Sequence, residues 1–195
     1  MRNSNFNNQP ILSQFWGRIK STFLTVAAAK AVSLSTLVFA LLFLSTSQKS
    51  NAQNNSVVWT DMVLTTTCGA TDIVKVTKNG WNGGAASANI LGNNEDGWAE
   101  ITVPQTNKKM RFGLSQSNPD IKTNSMGYVV ELGSNGKMKV FEFGKSKTGS
   151  LPYSANDVIR IDRTAGLVTY LQNGVVFYTS AQPSCDAMLI DLVMN

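Results

Sequence analysis

The sequence predicts an exported all-β domain, a sandwich or barrel of antiparallel strands behind an N-terminal leader. Three observations carry this. From residue 53 onward no stretch sustains a helical period; short alternating or apolar runs recur instead, separated by Gly, Asn, Asp and Pro. Two of the boundaries are Asn-Gly dipeptides, whose tolerance of positive φ suits tight hairpins. The charges are also segregated. Of the 17 Lys and Arg, five (Arg2, Arg18, Lys20, Lys30, Lys49) precede residue 53 and no acid does, so residues 53–195 carry 12 basic and 12 acidic residues. The formal +5 therefore belongs to the N-terminal segment, where it bears on export, and the remainder is neutral.

Within that segment, residues 31–46 (AVSLSTLVFALLFLST) form an uncharged apolar run of 16 residues, followed by Ser50-Asn51-Ala52. A basic flank, a short apolar core and a small-x-small site read as a signal peptide over 1–52, cleaved after Ala52. The alternative is an uncleaved signal/anchor helix, for which 16 residues is short against the roughly 20 that span a bilayer. Either way the C-terminal part lies outside the cytoplasm, secreted or at the cell surface, and meets the membrane only through an uncleaved leader. Residues 53–195 are enough for one core.

Strands are expected at 57–64, 73–78, 97–103, 109–114, 127–132, 137–143, 157–162, 167–172, 175–179 and 188–193. Residues 80–96 and 115–125 read as long polar loops, the usual carriers of function. A two-residue loop at Asn135-Gly136 pairs Ser134 with Lys137, Leu132 with Lys139, Val130 with Phe141 and Tyr128 with Phe143. That register sends Tyr128, Val130, Leu132, Phe141 and Phe143 to the core, and Glu131 and Glu142 to a mixed outer face. A two-residue loop at Asn173-Gly174 pairs Gln172 with Val175, Tyr170 with Phe177 and Val168 with Thr179. Both faces of that hairpin are partly apolar, so it is expected to be covered on both sides.

Cys68 and Cys185 both fall in the exported part, where an oxidising compartment favours a disulfide between them; the alternative is two buried thiols. The chain has no His, which removes His-ligated metals, Ser-His-Asp triads and a His-activated Cys.

The ordered segments Val58-Trp59-Thr60-Asp61, Gly80-Trp81-Asn82, Asp96-Gly97-Trp98-Ala99-Glu100-Ile101, Phe112-Gly113-Leu114-Ser115, Ser134-Asn135-Gly136, Val140-Phe141-Glu142-Phe143-Gly144, Asn156-Asp157-Val158, Val168-Thr169-Tyr170, Asn173-Gly174-Val175 and Tyr178-Thr179-Ser180 resemble the concanavalin A-like, SPRY-like modules of secreted bacterial surface proteins. The resemblance covers about 57–193. It implies an antiparallel jelly-roll β-sandwich with a binding or display role, no fixed ligand and no transferable catalytic set. Such modules continue past the segment matching 188–193, so the domain at 53–195 is expected to lack a last strand, unless the disulfide compensates or the chain is a piece of a larger surface protein.

The candidate sites follow from chemistry. An aromatic ring meets the C–H face of a sugar and neighbouring amides or carboxylates bind its hydroxyls. Trp81 and Asn82 open a Gly-rich loop, Trp98 shares a polar strand face with Glu100 and Thr102, and Asn118 and Asp120 lie in the second loop; plugging the ends of the sandwich is the other use of these Trp residues. The expected function is a non-catalytic binding module for a glycan or cell-surface polysaccharide. One alternative is a structural spacer or adhesion repeat. The other is a glycoside hydrolase using Glu131 and Glu142, which the register above makes diagonal neighbours. Asn93, Asn94, Glu95 and Asp96 offer oxygens to Ca²⁺ but lack a binding-loop spacing, so no cofactor is expected. Lys108-Lys109-Met110-Arg111 is the one remaining basic cluster, too small for a nucleic-acid footprint.

Overall fold

The computed structural model describes residues 2–7, 54–77 and 80–195. Sixteen strands occur among them: β1 (Arg2–Asn7), β2 (Asn54–Ser56), β3 (Trp59–Val63), β4 (Thr65–Thr67), β5 (Ile73–Lys75), β6 (Gly83–Leu91), β7 (Gly97–Thr102), β8 (Met110–Ser115), β9 (Tyr128–Leu132), β10 (Lys137–Glu142), β11 (Lys145–Ser146), β12 (Leu151–Pro152), β13 (Val158–Thr164), β14 (Leu167–Gln172), β15 (Val175–Thr179) and β16 (Met188–Met194). A six-stranded sheet runs β15-β14-β13-β7-β1-β2. An eight-stranded sheet runs β11-β10-β9-β8-β16-β6-β3, with β12 also on β10, and β4-β5 is a separate hairpin. All pairings are antiparallel. The chain crosses between sheets at β6 to β7 to β8, at β10 to β13 and at β15 to β16, which makes a jelly-roll sandwich.

Alternation places the core. Ala99 and Ile101 of β7 and Ile159 and Ile161 of β13 face Phe112 and Leu114 of β8, Val130 of β9 and Ile190 and Leu192 of β16, all buried. Burying each large aliphatic or aromatic side chain contributes about 1.5–3 kcal/mol. Two charged groups accompany them. Arg163, fully buried, donates to the carbonyls of Glu95, Gly92 and Asp186 and so ties the loop after β6 to the loop before β16. Glu142 is the other, with Lys147 Nζ 3.3 Å from Oε2 and the Tyr170 hydroxyl donating to Oε1 at 3.2 Å across the sandwich.

The β9–β10 hairpin departs from its expected register by one residue. Leu132 pairs with Met138, Glu131 with Lys139, Val130 with Val140 and Tyr128 with Glu142. The Gly133 amide donates to Lys137 O, leaving a three-residue loop in which Gly136 alone takes positive φ, at 66°. A type I turn with a glycine bulge thus replaces the two-residue turn. Because strand side chains alternate with period two, a one-residue slip exchanges the faces of one strand. Met138, Val140 and Glu142 turn inward, Phe141 turns outward, and Phe143 sits exposed, edge-on to Tyr128.

The β14–β15 hairpin keeps its two-residue turn, with Asn173 at φ 52° and Gly174 at φ 81° and Gln172 opposite Val175. A bulge beyond Leu171 then sets Tyr170 opposite Tyr178 rather than Phe177. Val175 and Val176 are 70% and 51% exposed on this edge strand, so the hairpin tip is not covered on both sides.

Two further expectations are corrected. Residues 83–91 lie inside the expected loop 80–96 yet form β6, an interior strand between β16 and β3. Cys68 and Cys185 are exposed free thiols, so the expected bridge is absent. The loop carrying Cys185 is held instead by Arg163 and by Asn94 N donating to Cys185 O. β16 lies in the interior of its sheet, flanked by β8 and β6. Of residues 1–52, expected to be a signal peptide, only Arg2–Asn7 are described, as β1 beside β7 and β2; the rest lies outside the described residues.

Candidate functional site

The outer face of the eight-stranded sheet is built from two cross-strand rows. One runs Asp191, Gly113, Val129, Phe141; the next runs Val193, Arg111, Glu131, Lys139. Arg111 organises them. Its Nε donates to Glu131 Oε2 at 2.8 Å, its Nη1 donates to Thr123 O at 2.6 Å, and its guanidinium stacks 4.0 Å from the Phe141 ring centroid. A planar cation suits both contacts at once. The Glu131 side chain keeps 26% of its surface exposed.

Two loops close over this floor. Residues 116–127 bring Thr123 O onto Arg111 and bury Met126 against Val129 and Val193. Ile121 reaches the backbone at Gly84, where an added Cβ would lie 3.1 Å from Ile121 Cγ2. From the other side Trp81 packs half-buried against the Met126–Val129–Val193 cluster. Beside it, Asn82 N donates to Gly80 O at 2.8 Å, and Asn82 Oδ1 is buried with no hydrogen-bond partner among the described residues.

Carboxylates differ sharply here. Asp120 Oδ1 accepts from Ser125 Oγ at 2.7 Å and Lys122 N at 2.9 Å; the Ser125 bond first, then the Lys122 amide, holds its carboxyl below the ordinary value. Asp191 is 2% exposed beneath the same loop and takes the Ser115 hydroxyl on Oδ2 at 2.8 Å. Burial, reinforced by the charge of Asp120, pushes it up to about 6 although Ser115 opposes the shift.

Of the residues expected to bind, Trp81, Asn82, Asn118 and Asp120 sit on the two loops that close over this face. Trp98 does not join them. It lies on the outer face of the six-stranded sheet, opposite Asp162, with the Arg160 guanidinium 4.5 Å from its ring and Arg160 bonded to Glu100. The Glu131–Glu142 pair is also separated. The register slip leaves Glu131 on the outer face and buries Glu142 between the sheets, so the two carboxylates cannot flank one glycosidic bond. In the 93–96 turn, Asn93 Oδ1 accepts Ala187 N, Glu95 Oε2 accepts Gly92 N and Asp96 Oδ1 accepts Ala165 N, so these oxygens organise backbone. Among the described residues no cluster of three or more Cys, Asp or Glu could hold a metal ion.

Arg111 and Asp191 were the residues that sequence reasoning passed over for this site. Alternation in MRFGLS points Arg111 outward, and Asp191 is a lone acid in the apolar run MLIDLVM, so both signals were present.

Neither a family model nor a curated protein matches the chain. Among solved structures it is similar to a Bacillus licheniformis β-glucanase at 10% identity, over 73% of this chain and 81% of that one, with a TM-score of 0.42. The carbohydrate recognition domain of Emp47p is similar at 16% identity, over 72% and 82%, with a TM-score of 0.42. A glycosidic hydrolase is similar at 9% identity over 57% of each chain, with a TM-score of 0.35.

Proposed function

We propose that this chain is an exported, non-catalytic module that binds a glycan on the outer face of its eight-stranded sheet. The supporting observation is convergence: Trp81 and Phe141 pack against one cluster of Met126, Val129 and Val193, and the 116–127 loop, which carries Asn118 and Asp120, sets Thr123 O on Arg111 beside Glu131. Half-buried aromatic surface beside fixed charged and amide groups matches the C–H faces and hydroxyls of a sugar. The separation of Glu131 from Glu142 weighs against the hydrolase alternative built on that pair. A glycan array probed with the full chain tests the reading. Trp81→Ala and Asp120→Asn are expected to abolish binding with thermal unfolding still cooperative, and Trp98→Ala to leave it intact. Binding to no glycan, or loss with Trp98→Ala alone, would overturn it and favour the spacer or adhesion role.

A further inference from the structure

A second feature lies at the end of the eight-stranded sheet where β6 begins and β16 ends. A cavity of about 260 Å³ opens there between β5, the segment before β8 and the end of β16, lined by Lys75, Lys108, Lys109, Gln105, Thr77 and Met194 among others. Three lysines line this space and no Asp or Glu does. None of the three forms an ion pair among the described residues, whereas Arg111, Lys122, Lys147 and Arg160 each have a carboxylate partner.

Lys75 joins this cavity to the site described above. Its stem packs on Gly83, where an added Cβ would lie 3.0 Å from Lys75 Cγ, and its Nζ donates to the Gly80 carbonyl, one residue before Trp81. Its pKa is lowered, by burial first and then by the charge of Lys108, so Lys75 feels the Lys108 ammonium. An anion entering among them would relieve that repulsion.

We propose that this cavity receives the carboxylate or sulfate of an acidic polysaccharide whose sugar rings lie along the Trp81 loop. The inference rests on the glycan-binding reading and narrows it to acidic glycans. Residues 53–195 are electrically neutral and the positive cluster is local, which fits one or two acidic groups per chain rather than the long one-sided footprint a nucleic acid needs.

The test measures binding of the full chain to two matched pairs: polygalacturonate against its methyl ester, and dextran sulfate against dextran. Lysine acetylation footprinting by mass spectrometry is read in parallel. Expected are at least tenfold tighter binding to one acidic polymer than to its neutral partner, and weakening of that preference as salt rises from about 0.05 to 0.5 M. The bound acid should protect Lys75, Lys108 and Lys109 from acetylation. Preference for polygalacturonate alone assigns the carboxylate, and preference for dextran sulfate alone assigns the sulfate. The triple variant Lys75→Gln, Lys108→Gln, Lys109→Gln should lose the preference, as should Lys108→Gln alone in part, since Lys108 is exposed and its replacement leaves the fold untouched. Equal binding to acid and neutral forms, with no lysine protection, overturns the acidic subsite and leaves glycan binding standing. Binding to no polysaccharide on this test or on the array overturns the glycan-binding reading as well. Protection of the three lysines by single-stranded DNA at lower charge concentration than by either acid overturns the choice of polysaccharide.

Discussion

Replacing Asp191 by Asn should stabilise the protein at neutral pH and leave it unchanged in acid. Asp191 sits in the interior strand β16, 2% exposed beneath the 116–127 loop, and Asp120 adds a like charge nearby. Its carboxyl ionises near 6 in the folded chain against 3.8 ordinarily. A gap of that size is worth about 3 kcal/mol at about 1.4 kcal/mol per pH unit. The folded chain holds this proton more tightly than the unfolded chain does. Below pH 3.8 both states are protonated and the group costs nothing; between 3.8 and 6 the unfolded state gives up its proton first, so stability falls as pH rises; above 6 the full cost of about 3 kcal/mol is in place. Asn keeps an oxygen for the Ser115 hydroxyl and carries no charge to desolvate. The assay is urea unfolding of wild type and Asp191→Asn at several pH values from 3.5 to 8. The difference between them should grow from near zero at pH 3.5 to about 2–3 kcal/mol at pH 7.5. Asp157, whose pKa is lowered, titrates with the opposite sign in acid and cancels in that difference. A difference that stays constant with pH would refute the reasoning.

The remaining predictions concern packing, the buried charge and the leader. Gly113→Ala should lower stability by about 3 kcal/mol or more, or prevent folding, because an added Cβ would lie 2.0 Å from Tyr128 O; soluble yield and melting temperature check it. Lys147→Ala should cost about 3–5 kcal/mol by stranding Glu142 without a counter-charge, and adding Glu142→Gln should recover most of that loss in the same urea assay. If the proposed export holds, intact mass of the chain recovered outside expressing cells should place its first residue at Gln53; cleavage there also removes β1 and frees that edge of β7, and recovery of residues 2–7 outside the cells would exclude it.

Much of the sandwich was legible because alternation is a local property. The run GWAEIT puts Ala99 and Ile101 inward and Trp98, Glu100 and Thr102 outward whatever β7 pairs with, and the structure agrees. β6 was not legible for the opposite reason. GGAASANIL has low strand propensity, and what makes it a strand is its place between β16 and β3, where small side chains let neighbouring layers approach. Ser87 completes that fit: at the bulge between Leu189 and Asp191 its hydroxyl accepts the Ile190 amide at 2.8 Å, replacing a ladder bond.

The site turned on a single residue of register. Asn135-Gly136 reads equally as a two-residue turn or as the end of a three-residue loop closed by Gly136, and local sequence does not separate them. What separates them is what the inward face of β10 must meet. The three-residue loop puts Met138 and Val140 in the core and brings Glu142 within reach of Tyr170 on the opposite sheet, at the cost of one buried carboxylate that Lys147 offsets. It also frees Phe141 to lie under Arg111 on the outer face. The two-residue turn would have sent Phe141 inward and left Arg111 without its aromatic support. The slip that separates the two carboxylates a hydrolase would need is therefore the same one that assembles the aromatic and charged floor of the proposed binding face.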